Sequence, residues 1–224
     1  MAESSRTRGI FITLEGPDGA GKSTQARLLA DRIRATGRDV VLTREPGGTK
    51  LGEQIRAVLL DASAESHDAL SDALLFNAAR SRQVSEVIRP AIERGAVVVC
   101  DRFSDSTLAY QGYGGGVPLD ALRDLAAVSI GNTLPDRTVL IDLSVEAGLA
   151  RRHAGSSEGL NRFETDASKH DAAFHGRVRN GYLELAEQGP ERWRIVDGAC
   201  GTDEVAEGVW SAVADLFPGG SPGG

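Results

Sequence analysis

A chain of 224 residues, 41% hydrophobic and 25% charged, is long enough to bury a core without disulfide or metal staples. Its 32 acidic residues outnumber 25 basic ones for a formal charge of −7, which argues against DNA or RNA as a bulk partner but leaves room for one nucleotide in a locally basic cleft. With only Cys100 and Cys200, no apolar run near the roughly 18 residues of a membrane span, and a polar stretch over residues 1–8, the expectation is a soluble cytoplasmic protein with free thiols and no membrane partner.

After a disordered tail at 1–8, the β-rich runs predict strands over 9–15, 40–43, 96–100, 138–142 and 193–196. Helical patterns lie between them, at about 21–36, 50–60, 68–94, 118–130, 145–153, 168–188 and 202–216. Runs such as Val97-Val-Val-Cys100 are apolar on both faces, as strands of a covered parallel sheet are. Strand–helix alternation then implies right-handed crossovers and one doubly wound α/β domain over 9–217. The Gly/Pro-rich stretch 218–224 is expected to be a second disordered tail.

Directly after the first strand stands Gly16-Pro17-Asp18-Gly19-Ala20-Gly21-Lys22-Ser23, followed by Thr24 and a helix. This is the G-x-x-x-x-G-K-[ST] phosphate loop in the strand-then-helix context that it requires. Glycines let main-chain N–H groups turn inward and phosphate oxygens come close, and the helix adds the positive end of its dipole. Lys22 brings a mobile charge to the β- and γ-phosphates, and the Ser23 hydroxyl is placed for Mg²⁺. Only Lys22, Lys50 and Lys169 are lysines among the 25 basic residues, and one of the three sits where the pattern needs it. The fold class is therefore α/β, a P-loop NTPase-type doubly wound sheet of five parallel strands with helices on both faces.

The sequence has no Asn-Lys-x-Asp guanine reader, but it has arginines at strand ends. Arg44 follows the second strand and Arg102 the third, where strand C-termini open on the ligand crevice. Singly, each is as consistent with a solvated surface; together beside a phosphate loop they suit bidentate clamps on a second phosphate. Asp101 either reaches Mg²⁺ or caps the next helix. Arg151, Arg152 and Arg162 flank the flexible Ala154-Gly-Ser-Ser-Glu-Gly-Leu-Asn161, either as a lid over about 151–165 that places guanidinium groups on a transferring phosphoryl, or as a solvated helix face.

Glu15-Gly-Pro-Asp-Gly-Ala-Gly-Lys-Ser-Thr24, Arg44-Glu-Pro-Gly-Gly-Thr49, Leu75-Phe-Asn-Ala-Ala-Arg80, Asp101-Arg-Phe-Ser-Asp-Ser-Thr-Leu-Ala-Tyr-Gln-Gly112, Asn161-Arg-Phe-Glu164 and Phe174-His-Gly-Arg-Val-Arg-Asn-Gly-Tyr-Leu-Glu-Leu185 together resemble the bacterial type of thymidylate kinase over about residues 9 to 200. The resemblance implies transfer of the γ-phosphoryl of ATP to dTMP, with Mg²⁺, in a homodimer packed through long helices including that at 68–94. It implies Phe76 stacked on thymine, Arg80 bonded to the base, Tyr110 crowding the 2′ position and Gln111 beside the base. It implies Arg44 and Arg102 on the acceptor phosphate, Asp18 near the 3′-hydroxyl and the metal, and Glu164 in that region. On the residues alone, Phe76 reads as core and Arg80 as solvated. The variable loop positions Pro17, Asp18, Gly19 and Ala20 include no arginine, so the catalytic arginine is expected from the lid, as Arg162 with Arg151 and Arg152 on ATP. Two departures stand out: Asn161 replaces the usual aspartate before the lid arginine, and Gly112-Tyr-Gly-Gly-Gly116 lacks the arginine often found there. Two other readings are a kinase for another monophosphate or a nucleoside, and a non-catalytic ATP-driven switch. His67, His153, His170 and His175 are expected to be bystanders.

Overall fold

The computed structural model describes residues 8–61, 63, 67–155 and 172–217, the side chains of 152–155 excepted. Five strands, β1 (Ile10–Glu15), β2 (Val40–Arg44), β3 (Val97–Asp101), β4 (Arg137–Asp142) and β5 (Trp193–Asp197), form one parallel sheet in the order β2-β3-β1-β4-β5. The chain leaves β1 for the edge at β2, returns to β3, and then crosses to β4 and β5 on the other side. The order therefore reverses at β1, and a crevice opens above the C-terminal ends of β1, β3 and β4.

The central strands are buried on both faces, and the edge strands alternate. Ile12, Leu14, Val97, Val99, Val139 and Ile141 pack against α1 (Lys22–Ala35) and the helix of Thr202–Val213. Phe11, Val98 and Cys100 face the other way, against the long helical stretch before β3. Because strand side chains alternate, Glu15 points to the same face as Phe11 and Thr13. That face is also covered by Val178, Tyr182 and Leu185 of the helix Ala172–Gln188, packed on Leu140.

The remaining helices, numbered with these in chain order, are α2 (Lys50–Leu60), α3 (Ala69–Gln83), α4 (Arg89–Glu93), α5 (Ser104–Thr107), α6 (Leu119–Ile130) and α7 (Val145–Gly155); Ala172–Gln188 is α8 and Thr202–Val213 is α9. Thr49 caps α2 by accepting from the Gly52 N–H, and Asp68 caps α3 by accepting from the Ser71 N–H. The predicted helix 68–94 is interrupted by a π-helical turn, Val84–Ile88. Pro90 cannot donate to the carbonyl four residues earlier, and a widened turn absorbs the mismatch.

One element was not anticipated. Helix α5 runs into a second π-helical segment, Leu108–Gly114, which carries Tyr110 and Gln111. It is moulded on α8: a Cβ at Gly114 would lie 2.7 Å from the Phe174 ring, and one at Gly181 2.5 Å from Tyr113. Of the expected tail at 1–8 only Arg8 is described, its Nη1 donating to Asp136 Oδ1 at 2.7 Å; the expected tail at 218–224, and residues 156–171 of the expected lid and helix start, lie outside the described residues.

Candidate active site

The loop between β1 and α1 has the geometry the glycine spacing demands. Gly16 has φ 143°, and a Cβ there would stand 2.4 Å from the Ile141 carbonyl oxygen. At Gly19, φ is 80° and a Cβ would lie 2.4 Å from the Gly148 carbonyl oxygen, so α7 packs backbone to backbone on the loop. Helix α1 starts with no side-chain cap and no acidic residue in its first turn. Its first N–H groups are thus available to an anion.

Lys22 is buried, and its Nζ donates to the Pro17 carbonyl at 2.7 Å. Burial, and then the neighbouring Arg102, lower its pKa to about 8, against the opposing pull of Asp18, Asp101 and Glu15. An anionic phosphate in the loop would hold it charged. The Ser23 hydroxyl donates to Asp101 Oδ2. Asp101 thus meets the phosphate loop, and the side chain does not cap α5, whose N-cap position is Phe103.

Arg102 is the one non-glycine residue with positive φ among the described residues, at 70°. Its guanidinium is fixed on every side. Nη1 donates to Gly16 O at 3.2 Å, Ser106 Oγ at 3.1 Å and Tyr182 Oη at 3.1 Å; Nη2 donates to Asp18 Oδ1 at 2.5 Å and Tyr110 Oη at 3.2 Å. A backbone held in a sparsely populated region at a strand end is a common mark of a functional position. Burial is the main reason that the Tyr110 phenol titrates above its ordinary range, so it stays a neutral hydroxyl.

Arg44 closes β2 and reaches both oxygens of Glu53, at 3.1 and 3.2 Å, while Glu53 also accepts the Gly48 N–H. Both side chains of this pair are half-exposed. An ion pair in that setting is worth roughly 0–1 kcal/mol, so an anion entering the cleft would displace it at little cost.

These groups line one cleft of about 400 Å³ above the sheet's C-terminal edge. Lys22, Arg44, Arg56 and Arg102 face it, against Asp18, Glu45 and Asp101, so the cleft is locally cationic on an acidic chain. Its apolar walls are Phe76 of α3 and Phe174 of α8, with Tyr110 6.3 Å from the Phe174 ring centroid. A phosphate loop, guanidinium groups and an aromatic slot thus share one cavity.

A family model for thymidylate kinase matches residues 14–209. The chain belongs to the thymidylate kinase family. The thymidylate kinase of Thermomicrobium roseum is 48% identical over 210 residues, covering 94% of this chain and 97% of its own length. That of Deinococcus radiodurans is 46% identical over 93% of this chain and 98% of its own. The crystal structure of thymidylate kinase from Ehrlichia chaffeensis superposes with a TM-score of 0.74 at 34% identity, over 92% of this chain and 99% of that one.

In this thymidylate kinase fold Asp18, Gly19, Lys22, Ser23, Arg44, Phe76, Asp101, Arg102, Tyr110 and Gln111 come together at the cleft. Gly16, Pro17, Ala20, Gly21 and Thr24 complete the loop and the helix start. Arg151 points elsewhere: its guanidinium donates to the Gly198 and Ala199 carbonyls between β5 and α9. The Arg152 side chain, Arg162 and Glu164 lie outside the described residues.

Arg80 requires a correction. It is neither solvated nor at the cleft surface, being 1% exposed. Its Nε donates to Glu45 Oε2 at 2.8 Å, Nη1 to Asn77 Oδ1 at 3.0 Å, and Nη2 to Phe103 O at 3.2 Å and Thr107 Oγ1 at 3.0 Å. It braces Glu45 and Thr107, both of which line the cleft.

Three residues in or beneath the cleft were assigned no role there by the sequence. Arg56 faces the cleft from α2 and donates to Pro46 O at 3.1 Å; burial and nearby Arg44 lower its pKa. Its only sequence signal was a single arginine in an apolar helix. His175, expected as a bystander, is buried in the cleft wall edge-on to Phe174. Glu15, the last residue of β1, is fully buried beneath Arg102.

Proposed function

We propose that the protein transfers the γ-phosphoryl of ATP to dTMP, giving ADP and dTDP. The observation that carries this reading is that the Lys22 loop and the Arg44 and Arg102 side chains line the same cleft. One set suits the donor's phosphates and the other the acceptor's. Phe76 offers the base a face to stack on, Gln111 a polar edge beside it, and Tyr110 a wall against a 2′-hydroxyl. Arg80 has five N–H groups, of which four are engaged, and an interaction with the base would have to use the remaining one on Nη1.

A phosphate monoester has its second pKa near about 6, so dTMP arrives largely dianionic and needs no general base. Catalysis then consists of alignment and charge neutralisation. Lys22 follows the phosphates of ATP, while Arg102 and Arg44 hold the acceptor phosphate in line. Asp18, freed from Arg102 as that phosphate enters, faces the 3′-hydroxyl.

Among the described residues no group of three or more His, Cys, Asp or Glu side chains can hold a metal by itself. The contiguous hard oxygens of Ser23 and Asp101, with Asp18 across the cleft, suit Mg²⁺, which takes most of its ligands from phosphates and water. Ser23, Asp18 and Asp101 would hold it, and when bound it neutralises charge on the β- and γ-phosphates. Roles for Arg151 and Arg152 on ATP, for Arg162 on the transferring group and for Glu164 near the metal enter this proposal through the family.

Turnover with dTMP, dUMP, CMP and AMP, each offered with ATP and Mg²⁺, tests the assignment. A strong preference for dTMP is expected, and equal rates would overturn the thymine slot. The homodimer reading is supported by Leu70 and Leu74, one turn apart on α3 and each 51% exposed, and by half-exposed Val58 on α2, the helix packed against α3. Sedimentation equilibrium is expected to return twice 23.6 kDa, and a monomer at micromolar concentration would defeat it.

A further inference from the structure

Glu15 and Tyr182 do not line the cleft, yet both act on the residue at its centre. Glu15 is fully buried, as is Tyr182. Glu15 Oε1 accepts the Phe103 N–H at 2.7 Å, the peptide that follows Arg102. Oε2 accepts the Ser106 hydroxyl at 2.6 Å and the Tyr182 hydroxyl at 2.9 Å. Those two hydroxyls are 2.8 Å apart, and both accept from Arg102 Nη1 at 3.1 Å. One carboxylate therefore grips Arg102 twice, at the backbone of its left-handed turn and at the two hydroxyls that orient its guanidinium.

We propose that Glu15 and Tyr182 are positioning residues for Arg102, holding its guanidinium toward the phosphate of the nucleoside monophosphate and so setting affinity for that phosphate without touching it. The surroundings favour a functional reason for this carboxylate. Burying it is costly, and of the described cations that feel its charge, Arg102, Lys22 and Arg192, Arg102 is the one joined to it through the Ser106 and Tyr182 hydroxyls, while Arg192 is bound bidentately to Asp105 at 2.6 and 3.0 Å. Burial, with Asp105 nearby, raises the Glu15 pKa to about 7, against the bonds from Ser106 and Phe103 and the charge of Arg102. A position needing only to fill space at the end of an apolar strand gains nothing from such a group.

The inference rests on the assignment of Arg102 to the acceptor phosphate, and the test separates the two. Calorimetric dissociation constants for dTMP and for thymidine, which lacks the phosphate, are measured on the full-length chain and on Tyr182→Phe, Glu15→Gln, Arg102→Ala and the Tyr182→Phe/Arg102→Ala double variant. Tyr182→Phe and Glu15→Gln are each expected to weaken dTMP about tenfold, the scale of one hydrogen bond to a charged group, while thymidine changes less than about twofold. In the Arg102→Ala background Tyr182→Phe is expected to cost dTMP nothing more. Equal losses for both ligands would mean a merely structural role and overturn the proposal. So would an unchanged dTMP-to-thymidine ratio in Tyr182→Phe alongside a collapsed ratio in Arg102→Ala. An unchanged ratio in Arg102→Ala itself would instead remove Arg102 from the phosphate. Should Glu15→Gln fail to fold, Tyr182→Phe carries the test alone.

Discussion

Arg102→Ala is expected to lower kcat/KM for dTMP on the order of 10³-fold, the upper range for removing one preorganised donor from a developing anionic centre. The expectation follows from how much structure is committed to one guanidinium. Five acceptors from the phosphate loop, α5, the π-helical segment and α8 fix its two terminal nitrogens. Such a group arrives at the reaction already oriented, so its loss removes alignment as well as charge. Arg102→Lys is expected to restore little, because an ammonium cannot reproduce a fork held at both Nη1 and Nη2. The fold is expected to survive: of the two carboxylates left behind, Asp18 is one-third exposed and can be hydrated, and buried Glu15 keeps its three donors, from Phe103, Ser106 and Tyr182. By contrast Arg44→Ala, at a half-exposed pair, is expected to act mainly on KM. Steady-state kinetics with varied dTMP at saturating ATP and Mg²⁺ checks both, and an Arg102→Ala enzyme within tenfold of the parent would remove Arg102 from the reaction centre.

The contrast between these arginines marks where sequence reading stops. The sheet was legible because burial on both faces writes itself as runs dominated by β-branched residues, as at Val97 to Cys100 and at Thr138 to Ile141. The loop was legible because Gly16 and Gly19 occupy backbone positions closed to other residues. Arg44 and Arg102 could be placed because a strand's C-terminal end faces the crevice whatever the side chain. The helical stretch carrying Tyr110 and Gln111 had no such signature. Gly112 and Gly114 are poor helix formers, and the element exists because Phe174 and Val178 of α8, about 60 residues further along the chain, press on it at Gly114. Glu15 was hidden for a related reason. A carboxylate at the end of an apolar strand resembles the start of a polar loop until its three donors, from Phe103, Ser106 and Tyr182, are known. Burial of a charge depends on partners remote in sequence, and local pattern does not report them.

Arg80 brings that point to a measurable consequence. Its side chain is 1% exposed and that of its partner Glu45 is 3% exposed, 35 residues earlier in the chain. Arg80→Ala leaves a carboxylate buried without its cation and strips partners from Asn77 and Thr107. Breaking such a pair from one side costs about 3–5 kcal/mol. For a domain of this size that corresponds to a fall in Tm of roughly 6–20 °C. Burial already raises the Glu45 pKa, with Arg80 opposing the shift, so the carboxyl is expected to take up a proton in the variant and recover part of the loss. The loss is thus expected to be larger at pH 8 than at pH 5. A double variant, Arg80→Met with Glu45→Leu, removes both charges and keeps most of the volume, and it is expected to regain most of the lost Tm. Its dTMP turnover should stay low if Glu45 and Thr107 shape the cleft through Arg80. Thermal unfolding followed by circular dichroism at the two pH values, with turnover measured in parallel, checks each step. An Arg80→Ala protein that melts within 2 °C of the parent, an interval of about 1 kcal/mol or less, would mean that the pair does not hold α3 to the end of β2.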